Sequence, residues 1–316
     1  MTTTIPTRSS TTRLPRIGRA DELRQPRFRL TERDRNIVMS VYEHRILTTN
    51  QIEILFFPSG SETPKSTYNS RCRMRLQVLY HAGYLQRDEQ PQKISEGRKP
   101  LLYTLDAKGA ELVAQAKDVP FAALDWSKSE LRISPFTLQH LLATNDVRIA
   151  IEVWARRHNL VIAKWLDDHT LRQRGSTDYV MFKTKEGSQQ RAAIVPDGYF
   201  ILESDEDRHH QFLEIDMGTT TGMYAKYGRR DFARKVHIYL EYYRSGRYQT
   251  RYSTRSMRVL TITTSDKRLA NLKAVTEKVG GRGRFWFTTF ERVREADALA
   301  DPIWSKAGSL EAFALV

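Results

Sequence analysis

Apolar positions recur with two different periods along this chain. Between Leu30 and Lys117 they fall mostly every three or four residues. Ile37, Val38, Val41 and Tyr42 form a stripe behind Thr31 and Asp34, a capping-box-like helix start. Thr48 or Thr49 caps a second short helix, QIEILFF, which halts at Pro58. A third helix is expected from about Lys65 to His81. Tyr68, Cys72, Leu76, Leu79 and Tyr80 form its buried face, with Lys65, Arg71, Arg73 and Arg75 toward solvent; Gly83 ends it. Two strand-like runs, from Tyr84 and from Leu101, flank a polar loop with Lys93, Arg98 and Lys99, and a helix from Asp106 to about Lys117 closes the block. Three helices and then a basic hairpin is the winged helix-turn-helix order, in which the third helix suits a major groove and the wing suits phosphates.

Beyond a mixed-polarity stretch with two prolines, strands and helices alternate. A long amphipathic helix runs from Phe136 to Asn159, with Leu138, Leu141, Leu142, Val147, Ile151 and Trp154 inward; His140, Asn145 and Glu152 are its polar exceptions. LVIAKWL reads as a strand, and a charged segment follows to about Arg191. IVPDGYFIL and HHQFLEID are two more strands. A helix from about Gly222 to Arg244 follows, with Phe232, Val236, Tyr239 and Tyr243 on one side. MRVLTITTS, a helix from Asp266 to Val279 and RFWFTTF complete the pattern. The expected fold class is α/β, α+β overall: an N-terminal winged helix-turn-helix followed by a mixed sheet flanked by helices. The expected divisions are a disordered basic arm over 1–29, a winged-helix domain over 30–117, a linker over 118–136 and a second domain over 137–316.

Charge sharpens this reading. A net charge of +14 favours polyanionic partners, with double-stranded DNA the leading candidate. The basic residues cluster: residues 1–29 hold seven arginines against Asp21 and Glu22, and between Lys226 and Arg258 ten Lys or Arg face only Asp231 and Glu241. Tyr224, Tyr227, Tyr242, Tyr248 and Tyr252 interleave with that second cluster, a pattern that suits backbone tracking with base stacking. The DNA-contacting set is read as Lys65, Arg71, Arg73, Arg75, Lys93, Arg98, Lys99, Arg229 and Arg230. A single cysteine, Cys72, forms no intramolecular disulfide and no zinc site, and no apolar run spans a bilayer, so a cytoplasmic location without membrane contact is expected.

Candidate chemistry gathers between Ile194 and Tyr243. Glu214 and Asp216 alternate onto one face of their strand, and a neighbouring strand carries Asp197. Three converging carboxylates need a cation, and oxygen-only ligation suits Mg²⁺ or Mn²⁺, so Asp197, Glu214 and Asp216 are the expected metal ligands. Lys235 arrives from the next helix. With those three acids it forms the expected catalytic set, with His140, Asn145, Thr219 and Tyr239 as auxiliaries.

Asp197 in PDG and Glu214 in EID, inside this element order, resemble the PD-(D/E)xK restriction-endonuclease-like core. That resemblance implies metal ligation by Asp197 and Glu214 and a lysine two residues on. Asp216 stands there instead, and Lys235 is the substitute; Asp216 either joins the metal or restrains Lys235. More specifically, LTERDRNIVMSVYEHRILTTNQIEILFF, VPDGYF, FLEIDMGTT and ARKVHIYLEYY resemble the replication-relaxation proteins and the related C-type mobilisation relaxases of plasmids. That implies plasmid-type DNA processing: binding at an origin of transfer or replication and a metal-dependent nick, with a homodimer or accessory transfer proteins as further partners. The alternative is a DNA-binding replication or transfer factor, or a transcriptional regulator, whose nuclease-like domain does not cut. A tyrosine relaxase lacks its His-hydrophobic-His pair here, since His209 and His210 are adjacent, and an ATPase lacks its Gly-rich phosphate loop.

Overall fold

A computed structural model describes residues 18–19, 28–58, 60, 66, 68–92, 95, 97–127, 133–173, 175–183, 187–204, 207–218 and 232–316. The chain divides into two compact units. One is Ser66–Leu138 with the chain before Gly60; the other is Gln139–Val316 with residues 60–65.

In the first unit, α1 (Glu32–His44) starts at a complete capping box. The Thr31 hydroxyl accepts from the Asp34 amide, and the Asp34 carboxylate accepts from the Thr31 amide. Thr48 caps α2 (Thr49–Phe56) in the same way with Gln51, directly after the two-residue strand β1 (Leu47–Thr48). The third helix, α3 (Ser70–His81), begins five residues later than expected, because the Asn69 side chain accepts from the amides of Arg71 and Cys72 and fixes the start there. Tyr68 therefore precedes the helix and is 72% exposed rather than buried, while Cys72, Leu76 and Leu79 form the buried stripe. Strands β2 (Leu85–Asp88) and β3 (Leu102–Leu105) complete an antiparallel sheet of order β1-β3-β2. Helix α4 (Ala107–Ala116), capped by Asp106, then closes on it. A Cβ at Gly109 would stand 2.1 Å from the Tyr84 carbonyl oxygen, so only glycine allows that approach. The element order is compatible with a winged helix.

In the second unit, α5 (Pro135–Arg157) lies across one face of a seven-stranded mixed sheet. The chain continues through β4 (Val161–Asp167), α6 (Asp168–Arg172) and a separate hairpin of β5 (Asp178–Lys183) and β6 (Gln189–Ile194). It then enters β7 (Gly198–Glu203), β8 (Arg208–Asp216), α7 (Phe232–Arg244), α8 (Arg247–Tyr252), β9 (Arg258–Thr263), α9 (Asp266–Lys278) and β10 (Phe285–Thr289). Helix α10 (Phe290–Glu295), β11 (Trp304–Lys306) and β12 (Ala312–Phe313) follow. The sheet order is β12-β11-β10-β9-β8-β7-β4, with β8, β9 and β10 parallel and the remaining pairs antiparallel. Leu213, Ile215, Leu260 and Ile262 face α5, while Phe212, Val259, Phe285 and Phe287 face α7 and α9. The α/β class and the helix–strand order expected of this half are those observed. Helix α6, the hairpin, α8, α10 and the two strands after it are additions to it.

Arg75 departs from the DNA-contacting set. Its Nε donates to Asp34 at 2.6 Å and its guanidinium to the Arg29 carbonyl at 3.0 Å. Burial pushes the Asp34 carboxyl up, but the hydrogen bonds from Arg75 and Thr31 outweigh it and hold the group below its ordinary value. A depressed carboxylate stabilises the fold above its ordinary pKa of 3.8 and loses that contribution as pH falls through the lower folded value. Arg75→Ala strands the buried charge, and a loss of about 2 kcal/mol in urea unfolding at neutral pH is expected. The loss should shrink in acid below the ordinary carboxylate pKa, while Arg71→Ala, on an exposed site, stays within about 0.5 kcal/mol of wild type.

Candidate active site at the carboxyl edge of the sheet

Asp197 lies in the bend just before β7, beside the last turn of register of β8, where Gly198 pairs with Leu213. Its Oδ2 accepts from the Ile215 amide at 2.7 Å, and His140 Nε2 of α5 lies 3.5 Å from the same oxygen and 3.3 Å from the Ile215 carbonyl oxygen. One residue away on the α7 face of β8, Glu214 is 3% exposed. Lys235 Nζ and the Tyr239 hydroxyl of α7 donate to its two oxygens. Three elements thus deliver Asp197, Glu214 and Lys235 to one edge, with His140 and Tyr239 alongside.

The charges are strongly coupled. Burial pushes Glu214 up, the Asp197 charge adds to that, and together they outweigh Lys235 and Tyr239. Burial also pushes Asp197 up, but His140, the Lys235 charge and the Ile215 amide overcome it and hold Asp197 below its ordinary value. Burial works against the Lys235 ammonium, yet Glu214, Asp197 and Asp216 hold its pKa above the ordinary one. The Asp197 carboxylate raises His140, and burial beside Glu214 raises Tyr239 well above 10.0.

Asp216 does not join the carboxylate pair. Arg268 of α9 grips it in a two-pronged contact, Nε to Oδ2 at 2.8 Å and Nη2 to Oδ1 at 3.0 Å, and the Thr263 hydroxyl donates to Oδ2 at 2.6 Å. Among the described residues no three His, Cys, Asp or Glu side chains are grouped to hold a metal, and the structure does not draw the three expected carboxylates into one cluster. Two carboxylates remain, with the Ile215 carbonyl beside them. Thr261, opposite Glu214 in the parallel register, is buried with its hydroxyl unpartnered among the described residues. Such a set fits a hydrated Mg²⁺ or Mn²⁺, which retains several waters and takes one or two carboxylates.

The remaining expected residues are scattered. Asn145 is buried in α5, and Thr219, Lys65, Lys93, Arg229 and Arg230 lie outside the described residues. Arg71 and Arg98 are exposed; Lys99 donates to the Pro91 carbonyl, and Arg73 stacks 3.7 Å over the Tyr68 ring. Of the interleaved tyrosines, Tyr242 and Tyr248 are core residues and Tyr252 stacks on Tyr199, so none of the three forms an open stacking groove; Tyr224 and Tyr227 lie outside the described residues. Arg268 went unnoticed in the sequence. The first turn of α9 holds Asp266, Lys267 and Arg268 together, so nothing local singled Arg268 out.

Because Glu214 is raised, the folded protein between pH 4.5 and that higher value holds a proton the unfolded chain has released, so stability falls as pH rises. Lys235→Met removes the compensating ammonium. Its stability loss is expected to be about 2 kcal/mol greater near pH 8 than near pH 5. Adding Glu214→Gln should flatten that difference; urea unfolding at the two pH values checks both.

A family model described as replication-relaxation matches residues 39–256. None of the curated proteins compared matches the chain. Among solved structures, the restriction endonuclease FokI bound to DNA aligns at 11% identity with a TM-score of 0.25, covering 83% of this chain and 44% of that one.

Proposed function

This chain belongs to the replication-relaxation family, and we propose that it nicks double-stranded DNA by Mg²⁺- or Mn²⁺-dependent phosphodiester hydrolysis at Asp197 and Glu214. Family membership supports the coarser role in DNA processing. The observation that carries the finer one is the convergence of Asp197, Glu214 and Lys235 from a β-bend, a strand and a helix.

When bound between the two carboxylates, the ion would polarise a phosphate oxygen and lower the pKa of an attacking water. The remaining steps belong to the chain. Asp197 stays ionised because its carboxyl is depressed, so it is the standing negative charge of the site. Lys235 stays cationic because its pKa is raised, which makes it a stabiliser of negative charge on the phosphoryl oxygens rather than a base. Its side chain is 45% exposed, so its ammonium can swing from Glu214 to a phosphate. Tyr239 stays neutral and donates to Glu214, holding that carboxylate in place while Lys235 leaves it. His140 ties Asp197 to the end of β8. Of the expected DNA-contacting set, Arg71 of α3 and Arg98 of the loop between β2 and β3 are exposed cations of the first unit offered to duplex phosphates, at an origin of transfer or replication.

One observation favours a second reading. Both oxygens of Glu214 are already engaged, by Lys235 and Tyr239, as suits a DNA-binding factor that does not cut. A supercoiled plasmid carrying the gene's own flanking DNA separates the two. Metal-dependent open circles are expected from wild type. Glu214→Ala and Asp197→Ala should form none while binding DNA within about twofold, and Lys235→Ala should be slower by on the order of a hundredfold. Tight binding with no open circles, with either metal, would establish the non-cutting factor instead.

A further inference from the structure

The β5–β6 hairpin is a separate two-stranded sheet whose two faces differ. Val180, Phe182, Ala192 and Ile194 turn inward and join the core beneath α7. The outer face carries Tyr179, Met181 and Lys183 from β5 and Arg191 from β6, with Met181 directly opposite Arg191. Tyr179 and Met181 are 37% and 51% exposed, unusual for large apolar side chains at the middle of a strand face. The Arg191 guanidinium lies 3.9 Å from the Tyr179 ring centroid. The exposed Arg247 of α8 donates to the Tyr179 carbonyl at 2.8 Å and adds a third cation. Among the described residues of the hairpin the one acid is Asp178, and it is neutralised by Arg251 and hydrogen-bonded by Tyr242.

An aromatic ring, a flat guanidinium and a thioether at the centre, rimmed by cations with no opposing acid among the described residues of that face, match unpaired bases and their phosphates. A duplex hides its base faces, and an apolar protein partner would leave three charges without counterparts. Position agrees. Ala193, the register partner of Tyr179, is four residues from Asp197, at most about 14 Å of extended chain. Adding about 5 Å for one strand spacing leaves Tyr179 within roughly 19 Å of Asp197, five or six stacked nucleotides at about 3.4 Å each.

We propose that the outer face of this hairpin is a single-stranded DNA platform, with bases stacking on Tyr179, Arg191 and Met181 and phosphates meeting Lys183 and Arg247. That the bound strand is the one leaving the Asp197 site rests on the cutting reading; the binding itself does not.

Fluorescence anisotropy on the full chain tests it, using a labelled 20-nucleotide oligo-dT and a 20-base-pair duplex without metal. Tyr179→Ala/Met181→Ala should weaken oligo-dT binding roughly tenfold or more and leave duplex binding within about twofold. Both side chains are on the outer face, and Arg247 bonds the backbone of Tyr179, so the hairpin should survive. Tyr179→Phe keeps the ring and should keep the affinity; Arg191→Glu should lose it. Unchanged oligo-dT binding, or equal losses on both probes, overturns the platform. Unchanged oligo-dT binding with a smaller mass in gel filtration overturns it in favour of an interface between copies. Plasmid nicking is read separately, so a chain that fails to nick yet shows the oligo-dT effect removes only the cutting reading.

Discussion

A carboxylate buried to 3% exposure costs several kcal/mol unless a partner compensates it, and Glu214 is such a group in a central strand. Its solution is one cation and one hydroxyl, Lys235 and Tyr239, four residues apart on α7 and so on one helical face. That requirement sets the rotation of α7 about its axis, and the stripe of Phe232, Val236 and Tyr239 then meets the sheet. The chain uses the same device three more times. Asp216 takes Arg268 and Thr263, Asp34 takes Arg75 and Thr31, and Asp178 takes Arg251 and Tyr242.

This repeated pairing changes how the excess of +14 should be read. Several arginines that look available along the sequence are internal counterions. Arg75, one turn from the exposed Arg71 and its neighbour in every compositional sense, is held by Asp34, a residue forty-one positions earlier. Composition reports how many cations a chain has; only tertiary contacts report which of them still have charge to offer a phosphate. The cations of the hairpin face, Lys183 and Arg191, differ from Arg75 and Arg268 in having no acid on their own face among the described residues.

Much of the fold was legible because local rules agreed with the tertiary result. Capping at Thr31 and Thr48, strand alternation around Glu214 and the stripe of α7 all read correctly from the chain. Misreadings came where an overlooked local cap or a contact distant in sequence decided the outcome. The start of α3 moved because Asn69 caps there, which also turned Tyr68 outward. Asp216 shares a face with Glu214, as period two demands, yet its carboxylate turns to Arg268, fifty-two residues on, and alternation says nothing of that. Tyr242 and Tyr248 sit among basic residues in sequence but inside the core, since a helix interleaves its buried and exposed faces every few positions. The outer hairpin face fell within a segment that reads only as charged and variable.

Asp197 breaks the pattern that the other acids share. Among the described residues it has no Lys or Arg within ion-pair distance; it is held by one backbone amide and by His140. Its pKa is nonetheless depressed, so it carries its charge at neutral pH with the Lys235 ammonium contributing from a distance. Glu214, one register step away, is pushed the other way by that same charge. The edge of the sheet therefore holds two acids and the Lys235 ammonium, with the second cation that would balance them, Arg268, committed to Asp216. An additional positive charge arriving there would relieve the repulsion between Asp197 and Glu214 and free Lys235 to face solvent. Asp216 fits that arrangement: as the second acid on the Glu214 face of the strand it draws Arg268 to itself and keeps that guanidinium off the Asp197–Glu214 pair.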